Sequence, residues 1–175
     1  MYKYPNIGKD APGKVNVLIE ISMHSSPVKY EFDEEVGMLR VDRFLSTSMQ
    51  YPANYGFIPH TLSGDGDPLD ALVYTRYPIA INTLILAKPV GVLKTEDEKG
   101  EDEKILLVPV DNVDKYFEEC NEHTDLGSTA LNTIEHFFRR YKDLEEGKWV
   151  KITGWGNSVS ARKTILDSME RYRSR

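Results

Sequence analysis

Pro52, Pro59, Pro68, Pro78 and Pro89 punctuate the middle of this chain. Each removes a backbone donor and blocks a helix interior, so a stretch broken this often holds no long helix. The segments around these prolines read as strands. Val15–Ile21 alternates, with Val15, Val17, Ile19 and Ile21 on one face and Glu20 on the other. Val28–Asp33 alternates as well. Tyr30 and Phe32 face one way, while Lys29, Glu31 and Asp33 put a cation and two carboxylates on a single polar surface. Met38–Phe44 is its partner, with Val36-Gly37 near the turn, and residues 69–74, 83–93 and 105–110 supply three more strands.

The last third changes period. Leu126, Ala130, Leu131, Ile134, Phe137, Phe138 and Tyr141 recur at helical spacing, and Gly147 suits the position just past a helix end. A short strand follows at 149–152. A final helix begins near Asn157 or Ser158 and carries Val159, Ile165, Leu166, Met169 and Tyr172 along one side. Strands first and helices later predict an α+β fold, a curved sheet or small barrel flanked by two main helices. No linker or repeat divides the chain, and 175 residues suit one domain spanning 1–175.

Within that frame, Asp65-Gly66-Asp67-Pro68-Leu69-Asp70 carries the chemistry. Ionised carboxylates repel one another, and a fold that gathers three of them needs a cation. Oxygen-only ligands select a hard divalent ion such as Mg²⁺ over zinc or copper. A second acidic run at 96–104 includes Asp97 and Asp102 and ends on Lys104. Lys29, Glu31 and Arg43 lie in the same half of the chain, and acid for metal with base for phosphate points to metal-assisted phosphoryl chemistry. Taken alone, the aspartate cluster also reads as an aspartate-rich turn, the acidic run as a solvated loop, and Tyr51, Tyr55 and Tyr141 as core or rim aromatics.

Several other motifs fail on inspection. In an EF-hand register, Leu69 stands at the third ligand, Asp70 at the obligatory glycine and Arg76 at the closing glutamate. Gly8 to Lys14 has phosphate-loop spacing, but Val15 follows where Ser or Thr must bind the metal, and a strand follows instead of a helix. His24, His60, His123 and His136 lack paired zinc-ligand spacing, and His136 sits in the predicted helix as a structural or interfacial residue. Cys120 is the one cysteine, which excludes an intrachain disulfide and fits a reducing, cytoplasmic address. The start has no leader pattern, and no apolar run is long enough for a bilayer. The net charge of −6 disfavours nucleic acid, leaving a single-strand-binding barrel with Tyr51 and Tyr55 as stacking platforms as the rival.

These residues together resemble the family I soluble inorganic pyrophosphatases of bacteria. The likeness covers nearly the whole chain. It includes Glu20, Lys29-Tyr30-Glu31, Asp42-Arg43-Phe44, Tyr51-Pro52, Asn54-Tyr55-Gly56 and the aspartate motif running on to Ala71. It continues through residues 88–93, Asp97, Gly100-Glu101-Asp102, Lys104, His136-Phe137-Phe138 and Tyr141-Lys142-Asp143-Leu144.

The resemblance implies a five-stranded barrel related to the oligonucleotide-binding fold, with helices outside. It implies Mg²⁺-dependent hydrolysis of pyrophosphate to two orthophosphates by a metal-activated water, with no covalent intermediate. Carried over by position, Asp65, Asp70 and Asp102 hold the first metal, and Asp70 helps bridge to the second. Asp97 and Asp102 hold a third that arrives with substrate, and Glu20 and Glu31 support further metal or water contacts. Lys29, Arg43, Tyr55, Lys104, Tyr141 and Lys142 grip the phosphoryl groups, and Asp67 accepts the proton of the attacking water. The familiar assembly is a homo-oligomer, a hexamer of two stacked trimers, with no nucleic-acid or membrane partner. Arg140 departs from relatives that carry histidine there, on a helix face associated with trimer packing.

Overall fold

The computed structural model describes residues 5–175; residues 1–4, part of the segment searched for a leader, lie outside the described residues. Among the described residues, nine strands are β1 (Val15–Ile21), β2 (Val28–Asp33), β3 (Met38–Phe44), β4 (Asn54–Ile58), β5 (Leu69–Val73), β6 (Thr83–Asp97), β7 (Gly100–Glu101), β8 (Lys104–Pro109) and β9 (Val150–Gly156). The two α-helices are α1 (Ser128–Arg140) and α2 (Ser158–Arg173). Strands β1, β4, β5, β8 and β6 pair in that order, and β6 pairs back with β1 to close a ring of five. Closure leaves the ring without open edges. Every ring contact is antiparallel except β5 with β8.

Strand β6 serves both the ring and an outer extension. Its first part pairs with β1, and from Val92 onward it pairs with β9. Its register against β8 shifts between Pro89 and Gly91, the place where a strand tolerates a residue without N–H. The strand outruns the predicted 83–93 and carries Asp97 to a hairpin with β7.

Side-chain alternation produces two cores. Residues from all five ring strands, among them Val17, Ile58, Ala71, Ile105 and Val92, form one cluster that takes in Ala161, Ile165 and Met169 of α2. The opposite face of the sheet, with Leu72, Leu93 and Leu106, packs against Ile134, Phe137 and Phe138 of α1. Strands β2 and β3 stand apart as a two-stranded hairpin.

Three expectations change. Val15, Val17 and Ile19 share the barrel cluster, but the register shifts between Ile19 and Ile21, and Ile21 joins the α1 cluster. A bulge of this kind re-aims side chains, and Glu20 beside it is buried. In α2 the buried stripe is Ala161, Ile165, Ser168 and Met169, while Val159 and Leu166 are exposed. Gly147 does not end α1, which stops at Arg140; it lies in a turn before β9 with φ 75°. Asn157 caps α2 as expected, its Oδ1 accepting from the Ser160 amide at 2.9 Å.

Gly56 marks the closest approach within the ring. A Cβ placed there would lie 1.8 Å from the Leu18 carbonyl oxygen and 2.8 Å from its carbon. Both are backbone atoms of the paired strand and cannot swing away. Gly56→Ala is expected to cost more than about 4 kcal/mol, or to abolish folding, as read by urea unfolding of the purified variant.

Candidate active site

The cavity that matters measures about 290 Å³. Strand direction explains its lining. Lys104 opens β8, and the parallel register places it directly opposite Asp70 of β5. Asp102 lies two residues earlier, in the short link between β7 and β8. The result is a buried ammonium held between two carboxylates: Lys104 Nζ is 2.7 Å from Asp70 Oδ2 and 2.9 Å from both Asp102 oxygens. It also lies 5.3 Å from the Phe138 ring centroid and 5.9 Å from that of Tyr55. Burial alone would favour the neutral amine, but Asp70 and Asp102 outweigh it and hold the Lys104 pKa well above the usual value.

A second buried pair closes another side. Lys142, two residues past α1, donates to Asp97 at the end of β6 at 2.9 Å and lies 3.7 Å from Glu98. Burial opposes the Asp97 charge, yet the Lys142 hydrogen bond and the Lys99 amide hold its pKa below the ordinary value. The β2–β3 hairpin contributes Lys29, bonded to Glu31 and 3.5 Å from Asp42, and Arg43, whose guanidinium meets Asp42 at 2.6 Å and Glu145 at 3.2 Å. Asp33 is the exception on this face: it binds Arg40 at 2.6 Å and the hairpin-turn amides, away from the cavity.

Asp65 and Asp67 come from the 59–68 loop. The Asp67 amide donates to Asp65 Oδ1 at 3.1 Å, so the loop turns on its own side chain. Partial burial, and then the neighbouring Asp65 charge, raise the Asp67 pKa. Glu20 accepts from the Phe32 amide at 2.7 Å, yet burial pushes its pKa up to about 8, with Asp70 adding to the shift. Tyr55 and Tyr141 are buried, chiefly for that reason have raised pKa values, and remain neutral phenols able to donate.

Every residue to which the family resemblance assigns a metal, phosphoryl or proton-accepting role lines this one cavity. Sequence reasoning passed over Ser63, Glu98, Lys99 and Lys148, which line it too. Glu98 and Lys99 lay within the acidic run already marked, whereas Lys148 had no motif around it.

Nine carboxylates face six ammonium or guanidinium groups across the cavity. Among the described residues, no three carboxylate, histidine or cysteine groups stand together as a preformed metal cage; Lys104 and Lys142 instead hold three of the aspartates. The donor set nonetheless fits a hard cation. Its metal-ligating lining groups are carboxylates, with no histidine or cysteine among them. Burial, with the neighbouring Asp70 charge, also raises the Asp102 pKa in spite of Lys104. The nucleic-acid rival loses its platforms, because Tyr51 and Tyr55 are 2% and 8% exposed.

Comparison with known proteins agrees with this geometry. Residues 17–173 match the family model described as inorganic pyrophosphatase. The inorganic pyrophosphatase of Rhodospirillum rubrum is 57% identical over 159 residues, covering 91% of this chain and 89% of the relative. Inorganic pyrophosphatase 1 of Pseudomonas syringae pv. tomato is 51% identical over 95% of both chains. The structure of the inorganic pyrophosphatase from Helicobacter pylori superposes with a TM-score of 0.93 at 44% identity, covering 98% of this chain and 99% of the other. A ring of five strands with two helices, a carboxylate-lined cavity and full-length similarity converge: this chain belongs to the inorganic pyrophosphatase family.

Proposed function

We propose that residues 1–175 act as one Mg²⁺-dependent unit that hydrolyses pyrophosphate to two orthophosphates without a covalent intermediate. The observation that carries this reading is the convergence of Asp65, Asp67, Asp70, Asp97 and Asp102 with Lys29, Arg43, Lys104 and Lys142 on one cavity. Asp65, Asp70 and Asp102 would hold the first metal, Asp70 would bridge to a second, Asp97 and Asp102 would take a third, and Glu20 and Glu31 would support them. When bound, Mg²⁺ neutralises phosphoryl charge and acidifies the attacking water.

The chain's own groups do the rest. Lys29, Arg43 and Lys142 donate to the phosphoryl oxygens and offset the charge that repels a nucleophile. Tyr55 and Tyr141, neutral at working pH, add O–H donors that a phenolate could not. Lys104 keeps Asp70 and Asp102 together and presents its remaining positive charge to the substrate. Asp67 orients the attacking water and accepts its proton, and the raised pKa suits that task. Cys120 is buried, its thiol pushed up to about 11 chiefly by burial, and it does not line the cavity. The assembly expected with this reading is a hexamer. Its support is a depression beside α1, lined by Thr133, His136 and Phe137 of the helix together with Met49 and Pro52. No described helix is long and apolar enough to cross a membrane, and the cytoplasmic address stays part of this proposal.

Phosphate release from pyrophosphate should vanish in excess chelator and return with Mg²⁺; a rate indifferent to chelator sinks the metal reading. Asp67→Asn should lower kcat by about 10²-fold or more with little change in the Mg²⁺ needed for half-activity. Asp70→Asn should lower kcat and raise that Mg²⁺ requirement together, because it removes charge shared with Lys104.

Glu20 supplies a pH test. Its pKa rises from 4.5 to about 8 on folding. The metal-free folded chain therefore holds a proton that the unfolded chain releases, and it loses stability as pH rises through this window. Glu20→Gln removes the loss. In chelator, its thermal midpoint should exceed that of the parent by several degrees near pH 8 and match it near pH 5.

Light scattering checks the assembly. A hexamer of 20.0 kDa chains scatters as a particle of about 120 kDa, and a monomeric mass at working concentration removes that part of the proposal.

A further inference from the structure

Helix α2 contributes no residue to the cavity, yet its last turns grip the loop that carries Asp65 and Asp67. The Leu62 amide donates to the Ser168 carbonyl at 3.0 Å. Arg171 Nε donates to the Leu62 carbonyl at 2.8 Å, and another guanidinium nitrogen donates to Ser168 Oγ at 2.8 Å. Ser168 is fully buried, so this end of the clamp is anchored in the barrel core. Beside it the His60 ring stacks on Tyr172, with centroids 5.3 Å apart and planes 11° from parallel. Both backbone groups of Leu62 are thus committed to α2.

Beyond Leu62 the loop becomes a self-contained turn. The Ser63 amide donates to the Asp67 carbonyl at 2.7 Å, and the Gly66 amide to the Ser63 carbonyl at 3.2 Å. Residues 64–67 are exposed, and a Cβ placed at Gly64 or Gly66 would meet nothing within 4 Å. No packing from outside sets the direction of this tip. Its internal bonds hold its shape, and its orientation is set where it leaves the α2 clamp. On the far side, Thr61 Oγ1 donates to the Ile58 carbonyl at 2.5 Å and accepts from the Leu69 amide at 3.0 Å, tying the two feet of the loop together.

We propose that Arg171, with Tyr172 beside it, is a positioning residue for hydrolysis: through the Leu62 carbonyl and the His60 ring, α2 sets where the 63–67 turn presents Asp65 and Asp67 to the cavity. This rests on the reading of Asp67 as proton acceptor and Asp65 as metal ligand. A reacting group misplaced by about 1 Å costs up to about 10²-fold in rate, so a rigid tip on a loosened hinge loses turnover without losing its carboxylates.

The test compares Arg171→Ala, Arg171→Lys, Tyr172→Ala and Asp67→Asn in the full chain with Mg²⁺. Lys163→Ala serves as control, since Lys163 forms an exposed pair with Asp167 on the same helix. Steady-state kcat and KM for pyrophosphate are read alongside amide hydrogen exchange. Arg171→Ala is expected to lower kcat about tenfold with KM within about twofold, because Lys29, Arg43 and Lys142 lie on other elements. Its exchange should quicken at residues 62–67 and not in the ring strands. Arg171→Lys, keeping a donor for Leu62, should recover most of kcat, and Lys163→Ala should change neither readout. Tyr172→Ala should act in the same direction but less, and it carries the test if Arg171→Ala does not fold. Faster exchange at 62–67 with unchanged kcat overturns the proposal, as does a kcat loss accompanied by faster exchange across the ring strands. If Asp67→Asn is impaired while Arg171→Ala is not, the clamp alone fails; if Asp67→Asn keeps full rate, the proton-acceptor reading fails and takes this proposal with it.

Discussion

An ammonium buried away from water costs several kcal/mol unless carboxylates surround it, and clustered carboxylates are costly without a cation. Lys104 resolves both at once. It sits between Asp70 and Asp102, opposite Asp70 by virtue of the parallel β5–β8 register and within 2.9 Å of Asp102 in the short link that precedes β8. Removing the lysine would leave two inward carboxylates repelling each other. Removing either aspartate would weaken what keeps the lysine charged. The single parallel contact of the ring therefore does more than close the barrel, since an antiparallel pairing there would bring different residues into register.

The same physics divides the molecule by face. Apolar residues of the ring strands fill the barrel under α2, and almost no charge is buried there. Buried ionisable groups gather on the other side: Glu20, Asp97, Lys104 and Lys142 are each less than 10% exposed, and all four line the cavity. Lys142 sits just past α1, whose Phe137 and Phe138 pack on the sheet. Packing of the helix thus fixes the lysine within reach of Asp97, and an apolar contact places a polar one.

Much of this was legible in the sequence, where the signal was local or the match to a family dense. The aspartate motif, the alternation of 28–33, the Asn157 cap and the helical period after residue 126 all rest on neighbours within a few positions. What the residues alone did not disclose depends on pairing across the chain. The bulge that sends Ile21 to the other core and buries Glu20 breaks an alternation that reads as regular. Lys148 reaches the cavity only because a turn after α1 folds back to it. The helical period puts Val159 and Leu166 along the same side as Ile165 and Met169, but α2 meets the barrel over a narrower strip led by Ala161 and Ser168. Small residues let the helix come close, and a hydrophobicity pattern gives them little weight.

That closeness bears on function. A helix held against the barrel by small buried residues has little freedom to slide, so its last turns are a stable fixture for something mobile. The loop that bears Asp65 and Asp67 has an exposed tip whose internal bonds fix its shape but not its direction. Fastening Leu62 to Ser168 and Arg171 lends the loop the helix's rigidity while leaving its carboxylates open to the cavity. A functional carboxylate has to meet two conflicting demands, access to water and ions and a fixed position. Separating them, with the open end on a short turn and the fixed end on a packed helix, satisfies both without burying the charge.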